Sequence, residues 1–274
     1  MGVLKRILDF YIQSSIHVAL AVFAFIRVTE FLFYLLPNPY TAGFGFFGTI
    51  VGYNFVKYDA LARSGRPKMS TRLKLFIAVS FVAFWGAAYC FFHLKPLTQI
   101  VSGLCLLVTA FYTLPFFPNK RNARSWSGLK IYIVSLCWVG VTVALPVLDA
   151  GIDWTTDFLL VSAKRFILVV VLLFIFEIID LAWDDPHLKT VPQQIGVKNT
   201  KKLGVFLLVI FLLLELFQLT ESIPRFVGNI VVIFTTSGFL YFAHEKRSRY
   251  YSTFWAESIP IVMWLVGLVF QRIF

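Results

Sequence analysis

Continuous apolar runs of about 20 residues recur along this 274-residue chain, and no other feature constrains its fold as much. One run, from Phe166 to Ile179, reads Phe-Ile-Leu-Val-Val-Val-Leu-Leu-Phe-Ile-Phe-Glu-Ile-Ile, with Glu177 its single charge. A helix rises about 1.5 Å per residue, so about 20 residues cross the ~30 Å hydrocarbon core of a bilayer. Membrane β-strands are shorter and alternate in polarity, which these runs do not. Only 14% of the residues are charged, against about 25% in soluble domains. Phe alone accounts for 31 positions, so much of the surface must face acyl chains or enclose an apolar ligand. The class expected is all-α, a polytopic integral membrane protein.

Nine helical spans are predicted, at 14–36, 41–58, 74–93, 97–117, 128–148, 160–181, 203–221, 225–243 and 253–271. No repeat, low-complexity tail or long linker divides them, so residues 1–274 read as a single helical domain. Charge tests the count. With Lys5 and Arg6 in the cytoplasm, the same side receives Lys57, Arg63, Arg66, Lys68, Arg72 and Lys74, then Lys120, Arg121, Arg124 and Lys130. It also receives Lys189, Lys198, Lys201 and Lys202, then Lys246, Arg247 and Arg249. That places 19 basic residues inside against five outside, Lys95, Lys164, Arg165, Arg225 and Arg272. Cytoplasmic loops of membrane proteins collect Lys and Arg in this way. The N-terminus is therefore expected inside and the C-terminus outside, and the net charge of +11 reflects topology rather than nucleic-acid binding. Cys90, Cys105 and Cys137 lie within apolar runs with no CxxC pair, as small packing residues do. The run after Lys5 and Arg6 is too long for a signal-peptide core, and no small-residue cleavage site ends it.

Polar residues inside the spans are few. Arg27 and Glu30, at i and i+3, form an intramembrane pair that is costly unless it faces the bundle interior. Glu215, Glu257 and His17 are further candidates, His17 as an anion contact or an interfacial residue. The densest group is Glu177-Ile-Ile-Asp180-Leu-Ala-Trp-Asp184-Asp185-Pro-His-Leu-Lys189-Thr-Val-Pro192. If the helix continues, Glu177, Asp180 and Asp184 share one face. Three carboxylates repel one another, and the last turn of a helix disfavours negative charge. A divalent cation would relieve both, and an all-oxygen donor set suits Mg²⁺ or Ca²⁺. A solvated loop with its acids balanced by Lys189, Lys198, Lys201 and Lys202 is the alternative.

This stretch resembles the second aspartate motif of UbiA-type intramembrane aromatic prenyltransferases: Asp180 and Asp184, then Lys189-Thr-Val-Pro192, then Gly196. The interval between Asp184 and Thr190 is about one residue shorter than usual. A second match is Tyr112-Thr113-Leu-Pro115, followed by basic residues, Gly128-Leu-Lys130 and, in the next helix, Trp138. The family's first motif, Asn-Asp-x-x-Asp, is altered. Tyr53-Asn54-Phe55-Val56-Lys57-Tyr58-Asp59 keeps Asn54, puts Phe55 and Tyr58 where the aspartates belong, and carries Asp59 one place late, about 100° around a helix.

The resemblance implies nine helices around a cytoplasm-facing cavity, with Mg²⁺ held between the two motifs and a prenyl diphosphate. On that basis Asp180, Asp184 and Asn54 are candidate catalytic residues, and Asp180, Asp184, Asp185 and Glu177 candidate metal ligands. Lys57, Arg63, Lys120, Arg124 and Lys189 are candidate contacts to the diphosphate. The implied activity is Mg²⁺-dependent transfer of an isoprenyl chain to a small lipophilic acceptor, most naturally aromatic, within membrane lipid. A non-catalytic relative that binds an isoprenoid or a diphosphate lipid is the second reading. A small-solute transporter fits less well, because duplicated halves and paired broken helices are not evident.

Overall fold

A computed structural model of the chain describes residues 2–63, 70–113, 128–185, 188–218 and 223–273, with backbone alone at 59–63, 111–113, 129, 223–224 and 270–273. The helices are α1 (Val3–Gln13), α2 (Ile16–Leu32), α3 (Pro39–Arg63), α4 (Thr71–Phe92), α5 (Pro96–Thr113), α6 (Leu129–Val139), α7 (Leu145–Ala150), α8 (Thr156–Asp180), α9 (Val191–Glu215), α10 (Ile223–Phe242) and α11 (Ile259–Ile273). A π-helical turn, Gly140–Ala144, joins α6 to α7, and a π turn, Tyr251–Trp255, followed by the 3₁₀ turn Ala256–Ser258, leads into α11. Among the described residues, five helices are long and apolar enough to cross a membrane, or six if α1 and α2, bent by 58°, form one span. The chain is a helical integral membrane protein. The nine-span expectation reaches only partly into this set. The polar ends of α3 and α9 and the short apolar part of α5, Pro96–Ala110, keep those three outside it.

α8 is the axis of the bundle. From Phe166 to Phe176 it is apolar on every side, as suits a helix that neighbours surround. Leu168, Val171, Phe174, Ile175 and Ile178 are buried against Phe25, Ile131, Leu208 and Leu240, from α2, α6, α9 and α10. α9 and α6 pack on α8, α10 on α9, α11 on α10, and α11 returns to α2, which carries α3 and, through it, α4. α4 lies at the rim, where Phe81, Val82, Trp85, Tyr89 and Phe92 are exposed, as lipid-facing side chains are. Glycine allows close packing at two of these helix contacts. A Cβ at Gly45 would meet Ile26 Cδ1 at 2.3 Å, and one at Gly204 would meet Leu240 Cδ2 at 2.5 Å.

Several boundaries differ from the sequence expectation. A helix, α1, precedes the first span, and Ser15, with φ of 63°, makes the break before α2. α8 begins at Thr156, because the Thr155 hydroxyl accepts the Phe158 N–H at 3.2 Å. Lys164 and Arg165, counted on the outer side near the start of the 160–181 span, are therefore two turns inside a helix and buried. Arg225 is also buried. Arg165 donates to the Phe25 carbonyl at 3.2 Å and the Thr142 hydroxyl at 2.9 Å, and lies 3.8 Å from the Phe25 ring centroid, fastening α2 to the π turn. Lys164 donates to Glu215 and Gln218, while Arg225 Nε and Asn229 Nδ2 reach Glu215 at 3.0 and 2.6 Å. The seventh span was expected at 203–221, yet α9 starts at Val191 with Pro192 in its first turn. Gly196, at φ 77° and ψ 155°, kinks the helix and lets the polar start turn away from the apolar remainder. Lys198, Lys201 and Lys202 thus lie on a helix, and Lys201 donates to the Tyr241 carbonyl at 2.7 Å, at the end of α10, where a helix dipole favours a cation.

Candidate active site

The acidic motif sits at the C-terminal end of α8. The helix stops at Asp180, but its carbonyl still accepts the Trp183 and Asp184 N–H groups at 2.8 and 2.9 Å. One further turn therefore forms, and it keeps Asp184 close above Asp180. Glu177 is buried, and its Oε2 accepts the Val191 N–H at 3.1 Å. The carboxylate thus caps α9, where unpaired N–H groups and the helix dipole both favour it. Gln193 completes that start, accepting the Thr190 N–H at 3.0 Å and donating to the Asp185 carbonyl at 3.1 Å. Lys189 turns the chain at φ 48°, and its carbonyl accepts from Gln194.

Two cations attend the motif. Arg249 Nε lies 3.9 Å from Asp180 Oδ1, and its guanidinium lies 5.0 Å from the Trp183 ring centroid. Lys130 acts electrostatically on both Glu177 and Asp180, as does Asp184. The sequence counted Arg249 only towards topology. Its approach to Asp180 is made by the turn after α10, and no local spacing signals it. Among the described residues, no three His, Cys, Asp or Glu side chains are placed to hold a metal ion together. Asp180 and Asp184 remain as two partly exposed carboxylates at this end of α8. That donor set fits Mg²⁺, which is usually bound by one or two carboxylates with waters and substrate phosphates completing the shell.

The altered first motif divides in two. Asn54 is buried and faces the α1–α2 break. Its Oδ1 accepts from Ser15 Oγ at 2.8 Å, and its Nδ2 donates to the Ser14 carbonyl at 3.1 Å and Ser80 Oγ at 2.9 Å. Tyr58 turns towards α1 and α4, donating to the Gln13 carbonyl at 2.9 Å and stacking on Phe76 at 5.0 Å. Lys57 donates to Ser15 Oγ at 2.9 Å and interacts electrostatically with Glu257. The segment from Arg249 to Glu257 therefore acts on both motifs, Arg249 beside Asp180 and Glu257 through its charge on Lys57. His17, expected at an interface, is buried between Tyr11 Oη and the Phe254 carbonyl, both at 2.9 Å, and so ties α1 to that segment. Lys120 and Arg124 lie outside the described residues, as do the side chains of Asp59 and Arg63 and the Leu114–Pro115 part of the second sequence match.

A helical axis ringed by helices, with an acidic turn at one end, recurs among solved structures of membrane proteins. A UbiA homolog from Aeropyrum pernix K1 matches with a TM-score of 0.67 at 15% identity, over 94% of this chain and 98% of that one. A UbiA homolog from Archaeoglobus fulgidus, bound to GPP and Mg²⁺, matches with a TM-score of 0.65 at 13% identity, over 95% and 98%. A digeranylgeranylglyceryl phosphate synthase matches at 0.57 and 10% identity, over 97% and 98%. Neither a protein-family model nor a curated protein matches the chain. The likeness read from the aspartate and Lys-Thr-x-Pro segments is borne out: this chain has the UbiA fold.

Proposed function

We propose that the chain is a UbiA-type membrane prenyltransferase, with residues 1–274 forming one domain of nine spans and the acidic turn facing the cytoplasm. It moves an isoprenyl group from a prenyl diphosphate to a lipophilic, aromatic acceptor. The observation that carries this reading is the acidic turn at the end of α8, flanked by Lys130 and Arg249, in a fold shared with a homolog that binds GPP and Mg²⁺. Asp180 and Asp184 hold the metal, with Asp185 or Glu177 in support. Mg²⁺, when bound, neutralises the negative charge that gathers on the departing diphosphate. Lys130, Arg249, Lys57 and Lys189 bind the phosphate oxygens, with Arg63, Lys120 and Arg124 as further contacts. The apolar walls of the spans hold the isoprenyl tail, exclude water from the allylic cation, and offer aromatic faces that stabilise it.

One observation favours the second reading, a non-catalytic isoprenoid or diphosphate-lipid binder. Phe55 and Tyr58 replace the first-motif carboxylates, and the Asn54 amide is committed to Ser14, Ser15 and Ser80. Purified protein incubated with Mg²⁺, labelled geranylgeranyl diphosphate and a membrane lipid extract separates the two. Release of diphosphate with a labelled product, lost in Asp180→Ala and on chelation of Mg²⁺, is the expected result. Binding without release supports the second reading. Equal turnover in Asp180→Ala removes Asp180 from the site.

A further inference from the structure

We propose that a cleft between α2, α10 and α11, at the end of the bundle away from Asp180, binds an amphiphile with an anionic, oxygen-bearing headgroup. The cleft has a volume of ≈ 310 Å³, and Arg27, Glu30, Phe31, Arg225, Asn229 and Trp264 line it. Its network reaches α8 at Lys164, 16 residues before Asp180, a separation of about 24 Å along the helix. The proposal is independent of the chemistry assigned to the acidic turn.

The polar groups of the cleft leave donors to spare and few acceptors. Glu30 accepts Arg27 Nη1 at 2.7 Å through Oε2 and the Asn38 N–H at 2.9 Å through Oε1. Glu215, behind the wall, is occupied by Lys164, Arg225 and Asn229. Both carboxylates are therefore committed to protein donors, and neither is left to receive a cationic ligand. Arg27 makes only its Glu30 hydrogen bond among the described residues, and its side chain is only 17% exposed. A guanidinium carries five N–H donors, so most of them point to no protein acceptor. Leaving such donors unmade in an apolar setting is costly, and phosphate or carboxylate oxygens match the planar fork of Arg. Arg225 and Asn229 bring the N-terminal part of α10 to the same cleft, where the helix dipole also favours negative charge.

The rest of the lining is apolar, and the cleft lies between helices that face lipid. Phe31 and Trp264 border the headgroup region, Leu268 on α11 lines the cleft, and Leu265 one turn earlier is exposed. A volume near the lower end of ligand pockets holds a headgroup and its first methylenes, leaving the tails to run along the outside of α11. Gly228 and Gly267 form part of the wall, and a Cβ at Gly228 meets nothing within 4 Å. A larger side chain there has room for its Cβ and takes up space at the cleft wall.

The test uses the full chain in detergent, titrated with dioleoyl phosphatidic acid and read by native mass spectrometry. Dioleoylglycerol, which has the tails without the phosphate, and inorganic phosphate, which has the head without the tails, serve as competitors. One phosphatidic acid per chain is expected, weakened about tenfold by Arg27→Gln, the loss of one charge-assisted contact, and by Gly228→Leu, and unchanged in Asp180→Asn. Neither competitor displaces it at equal concentration. Wild-type affinity in both cleft variants overturns the proposal, as does displacement by either competitor. Loss of binding in Asp180→Asn places the lipid at the acidic turn instead and also overturns it. Gly228→Leu decides the matter even if Arg27→Gln fails to fold.

Discussion

The carboxamide of Asn54 bonds Ser14, Ser15 and Ser80, and so holds the break between α1 and α2 against α4. A residue that the family likeness assigns to the chemistry is here committed to architecture as well. Replacing it by Leu takes the amide donor from the Ser14 carbonyl and the acceptor from the Ser15 hydroxyl, each costing about 1–3 kcal/mol, while the Ser80 hydroxyl keeps the Phe76 carbonyl at 2.8 Å. Asn54→Leu is expected to lower the thermal unfolding midpoint in detergent markedly, whereas Asp180→Asn, with a partly exposed side chain, leaves it close to wild type. Activity lost in Asn54→Leu with no loss of stability would return Asn54 to the catalytic group.

At the scale of elements, buried charge joins helices that apolar contacts alone would leave interchangeable. Glu215 at the end of α9 receives Lys164 from α8 and Arg225 and Asn229 from α10. Glu215, a candidate for function from the sequence, is engaged here in a three-helix clamp. Glu215→Ala removes the carboxylate that two buried cations share, and breaking a buried pair costs about 3–5 kcal/mol. Thermal unfolding of the variant measures that loss, and a midpoint equal to wild type would show that the clamp contributes nothing. Arg165 plays the same part without a carboxylate, distributing its donors over Phe25, Thr29 and Thr142 at the π turn.

For the whole molecule, α8 at the axis and α4 at the rim follow from how far each is buried, 67% against 22% of the apolar stretch. Orientation is a matter of charge. Lys164, Arg165 and Arg225, counted on the outer side, are buried, which leaves Lys95 and Arg272 of that count against the basic residues expected on the opposite side. The asymmetry that orients the chain is thus steeper than the sequence count. Reporters fused to the two ends are expected to find the N-terminus in the cytoplasm and the C-terminus outside. Both on one side would require an even number of crossings and a revised assignment of the helices.

Hydropathy is a property of consecutive residues, so the membrane class, the helical class and most helix positions were readable without coordinates. So was the acidic turn, because Asp180, Asp184 and the Lys-Thr-Val-Pro segment are close in sequence. Only the tertiary structure decided what each polar group faces. Glu177 caps a helix that begins 14 residues later, Arg249 meets Asp180 across the bundle, and Asn54 binds a helix break from 39 residues away. Such partners are brought together by packing around α8, a long-range effect that local periodicity does not encode. The start of α9 was hidden for a related reason. Its first turns are polar, and they form because Glu177 and Gln193 cap them and Gly196 lets them bend, whereas an apolar run begins only further on.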